Sequence, residues 1–442
     1  MNSAAPGPVG SSAGPTDRHG PVVIVGGGVI GLCLAYYLAE AGASVDLVER
    51  HTIGSAASWG NAGWVCESHS APIPAPGIMG YALRSLGRPN SPLYLRPSPD
   101  PTLLPWLWRF WRSTGQRKFD AGYRALADLN RDTFELYAKM AVAGVDTSLR
   151  RVGMVHAFLS RQEAVRSREL QAQVAAERYD LGGEIVDGDG AAGLDPALSG
   201  AVRAAYLVPG EGVVDPERLT AGLAKAAIES GVRIHDRTLV TGFRLESGRV
   251  VAVQTSAGSI DCTAVAVTGG MWSAQLLRKL RVRLALQAGK GYSFSVDLDP
   301  APQHALYLGD SKIAVTPIGH TTRIAGTMEL SGNNRRMDWR RIVAIAQAST
   351  PYLGPWFTDA DDLNTQIHDP WVGARPLLPD GLPVIDRLPN IGNAYVSTGH
   401  GMLGVTLGPA TGRSLAELML LGQRPKLLEP FSFHRDTLVG SA

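Results

Sequence analysis

The pattern of apolar and polar positions predicts a strand–turn–helix–strand unit near the start of the chain. Residues Val22 to Val25 are all β-branched and apolar, which is typical of a strand buried on both faces. Apolar residues at helical spacing then predict a helix from about Val29 to Ala41, which Gly42 would end. A second apolar strand follows over residues 44–49. This order is typical of a dinucleotide-binding βαβ unit.

The loop between the first strand and the helix has the spacing G-x-G-x-x-G. Gly26 permits a tight turn, Gly28 lets backbone N–H groups approach a pyrophosphate, and Gly31 lets the helix pack closely on the sheet. Glu49 lies 18 residues after Gly31, where an acidic residue binds ribose hydroxyls. The unit predicts a bound dinucleotide, and by itself it fits either FAD or NAD.

Two later segments repeat the pattern of a strand that ends in a glycine turn. Residues 262–270 form an apolar strand ending in Thr-Gly-Gly, after a meander predicted over residues 240–260. Residues 397–401, Ser-Thr-Gly-His-Gly, precede a helix predicted over residues 407–421. Another helix is expected to begin at Asp215-Pro216, because Asp is a good N-cap and Pro a good first helical residue. Such returns to the nucleotide are common in flavoproteins.

Composition narrows the class of protein. The chain has 442 residues, of which 45% are hydrophobic and 19% charged, as in an ordinary soluble protein. A net charge of +2 without a long basic run gives no indication of nucleic-acid binding. Residues 1–20 are rich in Gly, Ser, Pro and Ala, and we expect a disordered tail. The three distant cysteines form no metal or disulfide pattern, so we expect a cytoplasmic protein without a metal, with Cys33 as a core residue.

Five sequence blocks together resemble the FAD-dependent D-amino-acid oxidase/dehydrogenase superfamily, most closely its bacterial D-amino-acid dehydrogenase branch. The blocks are VVIVGGGVIGLCLAYYLAEAG (22–42), SAASWGNAGWVCESHSAPIPAPG (55–77), GKGYSFSV (289–296), WVGARPLLPDGLPVIDR (371–387) and STGHGMLGVTLGPATGRSLAEL (397–418). They follow the family's order and cover nearly the whole chain. The second and fourth are specific, whereas the first is shared by many flavoproteins.

The resemblance implies an α/β fold in two parts. A Rossmann-like FAD-binding domain would be assembled from residues 21–88, 209–283 and 373–430. A mixed α/β substrate-binding domain would comprise residues 89–208 and 284–372, and residues 431–442 would be a C-terminal tail. One departure from the family pattern is Asp386, where glycine is usual, and it leaves the local turn and the substrate preference open.

The resemblance also implies which residues contact FAD. They comprise the phosphate loop, the acidic terminator, a loop of small residues expected beside the isoalloxazine, and the two later glycine turns: Gly26, Gly28, Val29, Ile30, Gly31, Glu49, Arg50, Ser58, Gly60, Asn61, Ala62, Gly63, Val240, Thr268, Gly269, Trp272, Gly399, Gly401, Met402, Leu403 and Gly404. Asn61 is expected either to contact the flavin or to form a plain turn.

The reaction implied by the family is oxidation of a Cα–N bond, with hydride passing from Cα to flavin N5 and the imine hydrolysing to a 2-oxo acid and ammonia. Arg375 is the candidate for binding the substrate carboxylate, because its guanidinium can donate two parallel hydrogen bonds. Tyr292 could donate to the same carboxylate or belong to the core. His400 could hydrogen-bond the flavin, and His69 could face the substrate.

Electron acceptor and membrane contact are less defined. An oxidase must let oxygen reach the reduced flavin and stabilise superoxide, often beside a cation, and Lys290 is either that cation or a solvated lysine. The family's dehydrogenases reduce membrane quinones. Residues 105–112 concentrate Trp106, Trp108 and Trp111 with arginines, so the helix either contacts the inner face of a membrane or packs on the flavin domain. Oligomerisation is also possible.

Several alternatives to deamination of a D-amino acid stay open on the sequence. A secondary amine or imino acid such as sarcosine, glycine or a proline-like compound could use the same carboxylate-binding arginine. An FAD monooxygenase would need reduction by NAD(P)H. A catalytically silent FAD-binding subunit would hold flavin that no amine reduces.

Overall fold

The computed structural model describes residues 21–85, 91–96, 98–175, 179–332 and 334–438. The tail expected over residues 1–20 lies outside these ranges. The strands are β1 (Val22–Val25), β2 (Val45–Val48), β3 (Trp64–Val65), β4 (Leu93–Leu95), β5 (Met154–Phe158), β6 (Val186–Asp187), β7 (Ala204–Val208), β8 (Gly212–Val213), β9 (Arg233–His235), β10 (Val240–Glu246), β11 (Arg249–Thr255), β12 (Gly258–Asp261), β13 (Ala264–Val267), β14 (Gln287–Val296), β15 (Ala305–Leu308), β16 (Ile313–Ile318), β17 (Thr321–Leu330), β18 (Ile367–Leu377), β19 (Val384–Arg387) and β20 (Ala394–Thr398).

The helices lie between these strands in the chain. They are α1 (Val29–Glu40), α2 (Ile78–Ser85), α3 (Leu103–Trp111), α4 (Gln116–Asn130), α5 (Thr133–Val142), α6 (Arg161–Ala175), α7 (Asp189–Ala192), α8 (Pro216–Glu229), α9 (Ser273–Lys279), α10 (Trp339–Leu353), α11 (Ala360–Gln366) and α12 (Gly404–Leu421). Helix α8 begins as predicted, since the Asp215 carboxylate accepts from the backbone N–H groups of Glu217 and Arg218. Helix α12 begins three residues before the predicted start.

One sheet is mainly parallel and has the strand order β19-β20-β13-β1-β2-β9, with only β19 antiparallel to its neighbour. We call it the parallel sheet. Its strands come from three separate stretches of the chain, 22–48, 233–267 and 384–398, and β1 lies in its centre. The predicted meander between α8 and β13 is confirmed as the antiparallel strands β10-β11-β12.

Helix α12 packs closely against α1 on one face of the parallel sheet. The contact depends on Gly412, because a Cβ added there would lie 2.7 Å from the backbone carbon of Cys33. The Cys33 side chain is 1% exposed, and burial raises the pKa of its thiol. The prediction that Cys33 is a core residue is therefore confirmed.

The second large sheet, which we call the mixed sheet, has the order β18-β14-β17-β16-β15-β5-β7-β6, with β4 paired to β17. One face packs on α10 through a core that includes Phe294, Ile324 and Ile345. The opposite face of the mixed sheet is directed toward the parallel sheet. These two sheets confirm the predicted α/β fold with a Rossmann-like domain from three segments and a mixed α/β part, while the exact domain bounds stay a prediction.

Asp386 is a structural residue within β19 and does not form a turn. Its buried carboxylate contacts the guanidinium of Arg424 and accepts from the backbone N–H of Phe433 at 2.8 Å and the Ser432 hydroxyl at 3.2 Å. Phe433 and Leu438 are buried as well. The expectation of a C-terminal tail is therefore wrong for residues 431–438, since this segment is anchored on the parallel sheet by a carboxylate that glycine could not supply.

Over the described ranges, no helix combines the length and apolarity required to cross a lipid bilayer.

The contact between α1 and α12 gives a stability prediction. We expect Gly412→Ala to lower the free energy of unfolding by about 1–3 kcal/mol, because the added methyl meets backbone that cannot rotate away. The gain in helix propensity, about 1 kcal/mol, offsets only part of this. Urea unfolding of the FAD-saturated protein measures the effect.

Gly408→Ala is the matched control. There the added Cβ would meet only side-chain atoms of Val29 and Cys33, at 3.3 and 3.4 Å. We expect these atoms to shift and the unfolding free energy to change little. An unfolding midpoint for Gly412→Ala at or above that of Gly408→Ala would contradict the account.

Candidate active site

A cavity of about 830 Å³ lies between the parallel sheet and the mixed sheet, within the size range of cofactor sites. All of the predicted site residues border this cavity except Gly31 and Gly399. These two glycines are the sequence neighbours of the bordering residues Ile30 and His400. The bordering residues are Gly26, Gly28, Val29, Ile30, Glu49, Arg50, Ser58, Gly60, Asn61, Ala62, Gly63, His69, Val240, Thr268, Gly269, Trp272, Tyr292, Arg375, His400, Gly401, Met402, Leu403 and Gly404. The structure thus brings together residues that are far apart in the chain.

The glycine loop forms one end of this cavity. Gly26 has φ +119°, and a Cβ there would lie 2.7 Å from the carbonyl oxygen of Thr268. A Cβ on Gly31 would lie 2.0 Å from the carbonyl oxygen of Gly26. Helix α1 therefore starts directly against the strand ends, with Gly28 as an N-cap that has no capping side chain and with no acid in the first turn. This end of α1 is suited to a pyrophosphate.

Glu49 borders the cavity beside the glycine loop, where the sequence predicts an acidic residue that binds the ribose hydroxyls. Its two carboxylate oxygens accept from the backbone N–H groups of Gly27 at 2.8 Å and His51 at 3.0 Å. Each oxygen keeps a further lone pair for a hydroxyl donor. Arg50 stacks 3.7 Å above the ring of Trp272, and both border the cavity. The residues at this end fit the adenosine part of a dinucleotide.

Ser58 and Asn61 hold the loop of small residues in place. The Ser58 hydroxyl accepts from the backbone N–H of Val29 at 3.0 Å. The Asn61 side chain accepts from the Gly63 N–H at 2.7 Å and donates to the Ser58 carbonyl at 2.9 Å. The amide of Asn61 is used within its own loop, which favours the turn interpretation over a side-chain contact with the flavin.

The same loop is fastened to the mixed sheet by side chains of three strands. Ser293 donates to the Gly60 carbonyl and Thr316 to the Ala62 carbonyl, each at 2.7 Å, and Arg323 donates to the Asn61 carbonyl at 3.2 Å. A Cβ on Gly60 would overlap the Trp371 ring at 2.1 Å. The loop therefore lies flat between the two sheets, where a planar ring can approach its backbone.

Arg375 lies on β18 with its side chain at the cavity. Its guanidinium crosses Gly291 of the neighbouring strand β14, where an added Cβ would lie 2.3 Å from the guanidinium carbon. It donates to the Thr327 carbonyl at 2.9 Å, and within the described ranges no carboxylate forms an ion pair with it. Burial lowers the pKa of Arg375 to about 10, so the side chain is still charged at neutral pH. A buried cation without a counter-ion is prepared to bind an anion.

Tyr292 borders the cavity, but its side chain belongs to the core cluster on the other face of the mixed sheet. Its ring is 1% exposed in the cluster with Phe294 and Ile345, and its hydroxyl donates to a Glu329 carboxylate oxygen at 2.5 Å. Side chains alternate across a strand, so Tyr292 points away from the face that Gly291 and Ser293 share. The core interpretation of Tyr292 is favoured, and a hydrogen bond to substrate is not.

Lys290 lies two residues before Tyr292 in β14, so its side chain points to the same face of the sheet, away from the cavity. It is not a solvated lysine. It is 2% exposed, forms an ion pair with Glu329 at 2.9 Å, and donates to the Arg336 carbonyl at 3.0 Å. The structure therefore favours neither of the two alternatives for Lys290, because its charge is paired with Glu329 on the far side of the sheet.

The two candidate histidines both border the cavity as neutral side chains. Burial lowers the pKa of His400 to about 3, and its Nε2 lies 3.2 Å from the Thr411 hydroxyl. Burial, with a smaller contribution from Lys312, lowers the pKa of His69 to about 4. The segment carrying His69 is held by the Glu211 carboxylate, which accepts from the backbone N–H groups of Glu67 and Ser68. Both rings can therefore serve as hydrogen-bond partners without charge at neutral pH.

Sequence reasoning missed several cavity residues on the mixed sheet. Trp371 and Thr327 border the cavity near Arg375, and Tyr307 and Lys312 border it farther along the sheet. The position of Trp371 could have been predicted from the sequence, because it lies four residues before Arg375 in the same strand and therefore shares its face. Thr327 and Tyr307 lie on strands and Lys312 in a turn, and none of these segments belongs to one of the five sequence blocks. Within the described ranges, no cluster of three or more His, Cys, Asp or Glu could hold a metal ion.

Comparison with known proteins identifies a family and related proteins. A family model described as FAD dependent oxidoreductase matches residues 21–418. A D-amino acid dehydrogenase of Xanthobacter autotrophicus is 32% identical over 412 residues, which cover 90% of this chain and 94% of that protein. A D-amino acid dehydrogenase of a Methylobacterium species is 31% identical over 418 residues, covering 92% of this chain and 96% of that protein.

Solved structures show the same fold. Glycine oxidase from Bacillus cereus superposes with a TM-score of 0.72 at 24% identity, covering 96% of this chain and 99% of that one. L-proline dehydrogenase from P. horikoshii superposes with a TM-score of 0.72 at 18% identity, covering 94% of this chain and 96% of that one. With the family match spanning most of the chain and a cavity that fits the dinucleotide, the protein belongs to the family of FAD-dependent oxidoreductases, and FAD is its cofactor.

Proposed function

We propose that the protein catalyses the oxidative deamination of a D-amino acid. The observation that carries the proposal is Arg375, a buried guanidinium at the cavity with no carboxylate partner in the described part of the chain. A substrate carboxylate can accept two parallel hydrogen bonds from it, which fixes both position and orientation. The names of the curated relatives support amino acids as the substrate class and the D-configuration as the preferred one.

The residues of this chain would act by positioning and by electrostatics. Bound FAD supplies the hydride acceptor, so the protein need only hold Cα correctly and favour an uncharged amine. The positive charge of Arg375 favours loss of a proton from the substrate ammonium. Trp371 beside it forms an apolar wall that limits water. Removal of hydride from Cα and a proton from nitrogen gives the imine, and water converts it to the 2-oxo acid and ammonia.

We propose a quinone as the electron acceptor. The cation expected to favour reaction with oxygen, Lys290, is paired with Glu329 on the far face of the sheet. The curated relatives are named dehydrogenases.

Helix α3 supports a related proposal, contact with the inner face of a membrane. Trp108 and Trp111 are 53% and 56% exposed, Leu104 is 75% exposed, and Arg109 and Arg112 lie among them. Apolar and aromatic side chains flanked by arginines are the pattern of a helix that lies in an anionic lipid interface. The opposite face of α3 is buried in the protein, so packing on the protein and the proposed lipid contact involve different faces and do not exclude each other.

An anaerobic screen tests the proposed reaction. The FAD-loaded protein is mixed with D- and L-amino acids, N-methyl amino acids and cyclic imino acids without NADH, and flavin absorbance is followed. We expect D-amino acids to bleach the flavin fastest, and we expect slow recovery in air but fast recovery with a soluble quinone. Bleaching only by N-methyl or cyclic compounds, or only after addition of NADH, would reject the proposal.

Arg375→Leu tests the carboxylate assignment. We expect KM for the best D-amino acid to rise by about 100-fold or more, because two charge-assisted hydrogen bonds are lost. FAD content should stay unchanged, since the side chain is not at the nucleotide end. Arg218→Leu removes an exposed arginine paired with Asp146 and serves as the matched control. An unchanged KM in Arg375→Leu would refute the assignment.

Liposome sedimentation tests the membrane contact. We expect a Trp108→Ala/Trp111→Ala double variant to lose most of its binding to anionic vesicles, while its flavin absorbance and activity with soluble quinone persist. Trp106 is unsuitable for this test, because it is 3% exposed and donates to the Leu377 carbonyl at 3.3 Å. Exposed Trp339→Ala, outside α3, is the control. Equal sedimentation of wild type and the double variant would reject the contact.

A further inference from the structure

One row of directly opposed residues crosses the mixed sheet from β18 to β5. In the order of the strands, the row consists of Trp371, Ser293, Ala325, Ala314, Tyr307 and His156. Residues that are opposed in neighbouring strands point to the same face of a sheet. This face is the one that borders the cavity, because the Ser293 hydroxyl donates to the Gly60 carbonyl and because the row, apart from Ser293 and His156, borders the cavity.

The middle of the row is a floor of two small side chains, Ala325 and Ala314, which we call the alanine floor. Ala314 is partly exposed and borders the cavity. The floor lies between the Arg375 guanidinium, which donates to the Thr327 carbonyl of β17, and the Tyr307 ring on β15. Strands β17 and β15 are two strand spacings apart, or about 10 Å. A ligand with its carboxylate on Arg375 therefore has room for a long side chain over the alanine floor.

Three rings border the cavity where the alanine floor ends. The Tyr307 ring lies 5.0 Å from the His69 ring, and the Trp64 ring lies 6.3 Å from Tyr307 and 6.1 Å from His69. We call these three rings the aromatic wall. Each pair in the wall is edge-to-face, the arrangement in which the electrostatic fields of two rings attract each other. Burial lowers the pKa of His69 to about 4, so this ring is uncharged at neutral pH and packs as the other two do.

The aromatic wall is held in place by the sheets behind it. The His156 ring, which is 0% exposed, lies 5.2 Å from the Tyr307 ring, and the Lys312 ammonium lies 5.5 Å from the centre of the same ring. Trp64 is fixed by the pairing of β3 with β8. A wall that is already ordered costs little conformational entropy when a ligand binds to it. A further ring that enters the cavity can continue the edge-to-face pattern, whereas a saturated side chain gains only from its burial.

We propose that the preferred substrate has an aromatic side chain that lies over the alanine floor, Ala325 and Ala314. Its ring contacts the aromatic wall of Tyr307, His69 and Trp64 while its carboxylate binds the guanidinium. The inference rests on the proposed deamination and specifies the substrate class. The reaction itself is unchanged, with hydride leaving Cα and a proton leaving nitrogen.

A binding measurement tests the side-chain site without turnover. The FAD-loaded protein is titrated with 3-phenylpropanoate, 3-cyclohexylpropanoate and propanoate, which have the skeletons of phenylalanine, cyclohexylalanine and alanine without the amine. Flavin absorbance and heat of binding are followed. We expect 3-phenylpropanoate to bind about 30-fold or more tightly than propanoate, because a whole ring is buried. It should also bind about threefold or more tightly than 3-cyclohexylpropanoate, because of the contacts between rings. Equal or weaker binding than either would overturn the proposal.

Ala314→Leu tests the alanine floor. The added side chain would occupy the space that the substrate ring needs, so we expect the ratio of kcat/KM for D-phenylalanine to that for D-alanine to fall by about tenfold or more. Ala221→Leu, at an exposed position of α8, is the matched control and should keep the wild-type ratio. A wild-type ratio in folded Ala314→Leu would overturn the proposal.

Two variants of Tyr307 test the aromatic wall. In Tyr307→Leu we expect the preference for D-phenylalanine over D-cyclohexylalanine to fall toward one, because an edge-to-face partner is lost. Tyr307→Phe keeps the ring and should keep the preference. The same preference in all three proteins would overturn the role of the wall. If Tyr307→Leu does not fold, the wild-type comparison of 3-phenylpropanoate with 3-cyclohexylpropanoate decides.

The outcomes separate this inference from the proposed function. Flavin reduction that is fastest with D-alanine or D-glutamate would overturn the aromatic side-chain site and leave the deamination intact. If no amino acid bleaches the flavin, the proposed function fails, and the relative affinities of the three carboxylates still decide whether the site takes an aromatic ring.

Discussion

The proposed substrate site depends on one guanidinium that lacks a counter-ion within the described residues. Arg375 keeps its charge in the interior because the Thr327 carbonyl accepts from it and because Gly291 has no side chain in its path. Burying an unpaired charge is costly, and an anion entering the cavity reduces that cost. A carboxylate bound to Arg375, as we propose, would therefore stabilise the mixed sheet.

One end of the cavity has the features of a cofactor site, and the other end is the proposed substrate site. At the parallel sheet, glycines bring the backbone of α1 close to the strand ends, and Glu49 supplies the acid beside them. At the mixed sheet, the Arg375 guanidinium supplies a positive charge to the cavity. The loop around Gly60 lies between the ends, and its Gly60 carbonyl accepts a hydrogen bond from Ser293 of the mixed sheet.

The sequence predicted most of the cofactor side, since strand, glycine loop, helix and acid are local features with fixed spacing. It predicted Arg375 through a specific block. It did not resolve which face Tyr292 and Lys290 occupy, because the facing of a buried strand depends on partners such as Glu329 and α10 that are far along the chain. The anchoring of residues 431–438 by Asp386 could not be predicted either, because its partner Phe433 is far along the chain.

The measurement that tests the central claim most directly is the affinity of FAD-loaded Gly291→Ala for butyrate, followed by the change in flavin absorbance. The added methyl would displace the guanidinium without removing its charge. The account predicts that the dissociation constant rises by about tenfold or more, as for the loss of a charge-assisted bond, while FAD content is unchanged. Wild-type affinity in a folded Gly291→Ala protein would contradict the claim that Arg375, placed over Gly291, holds the substrate carboxylate.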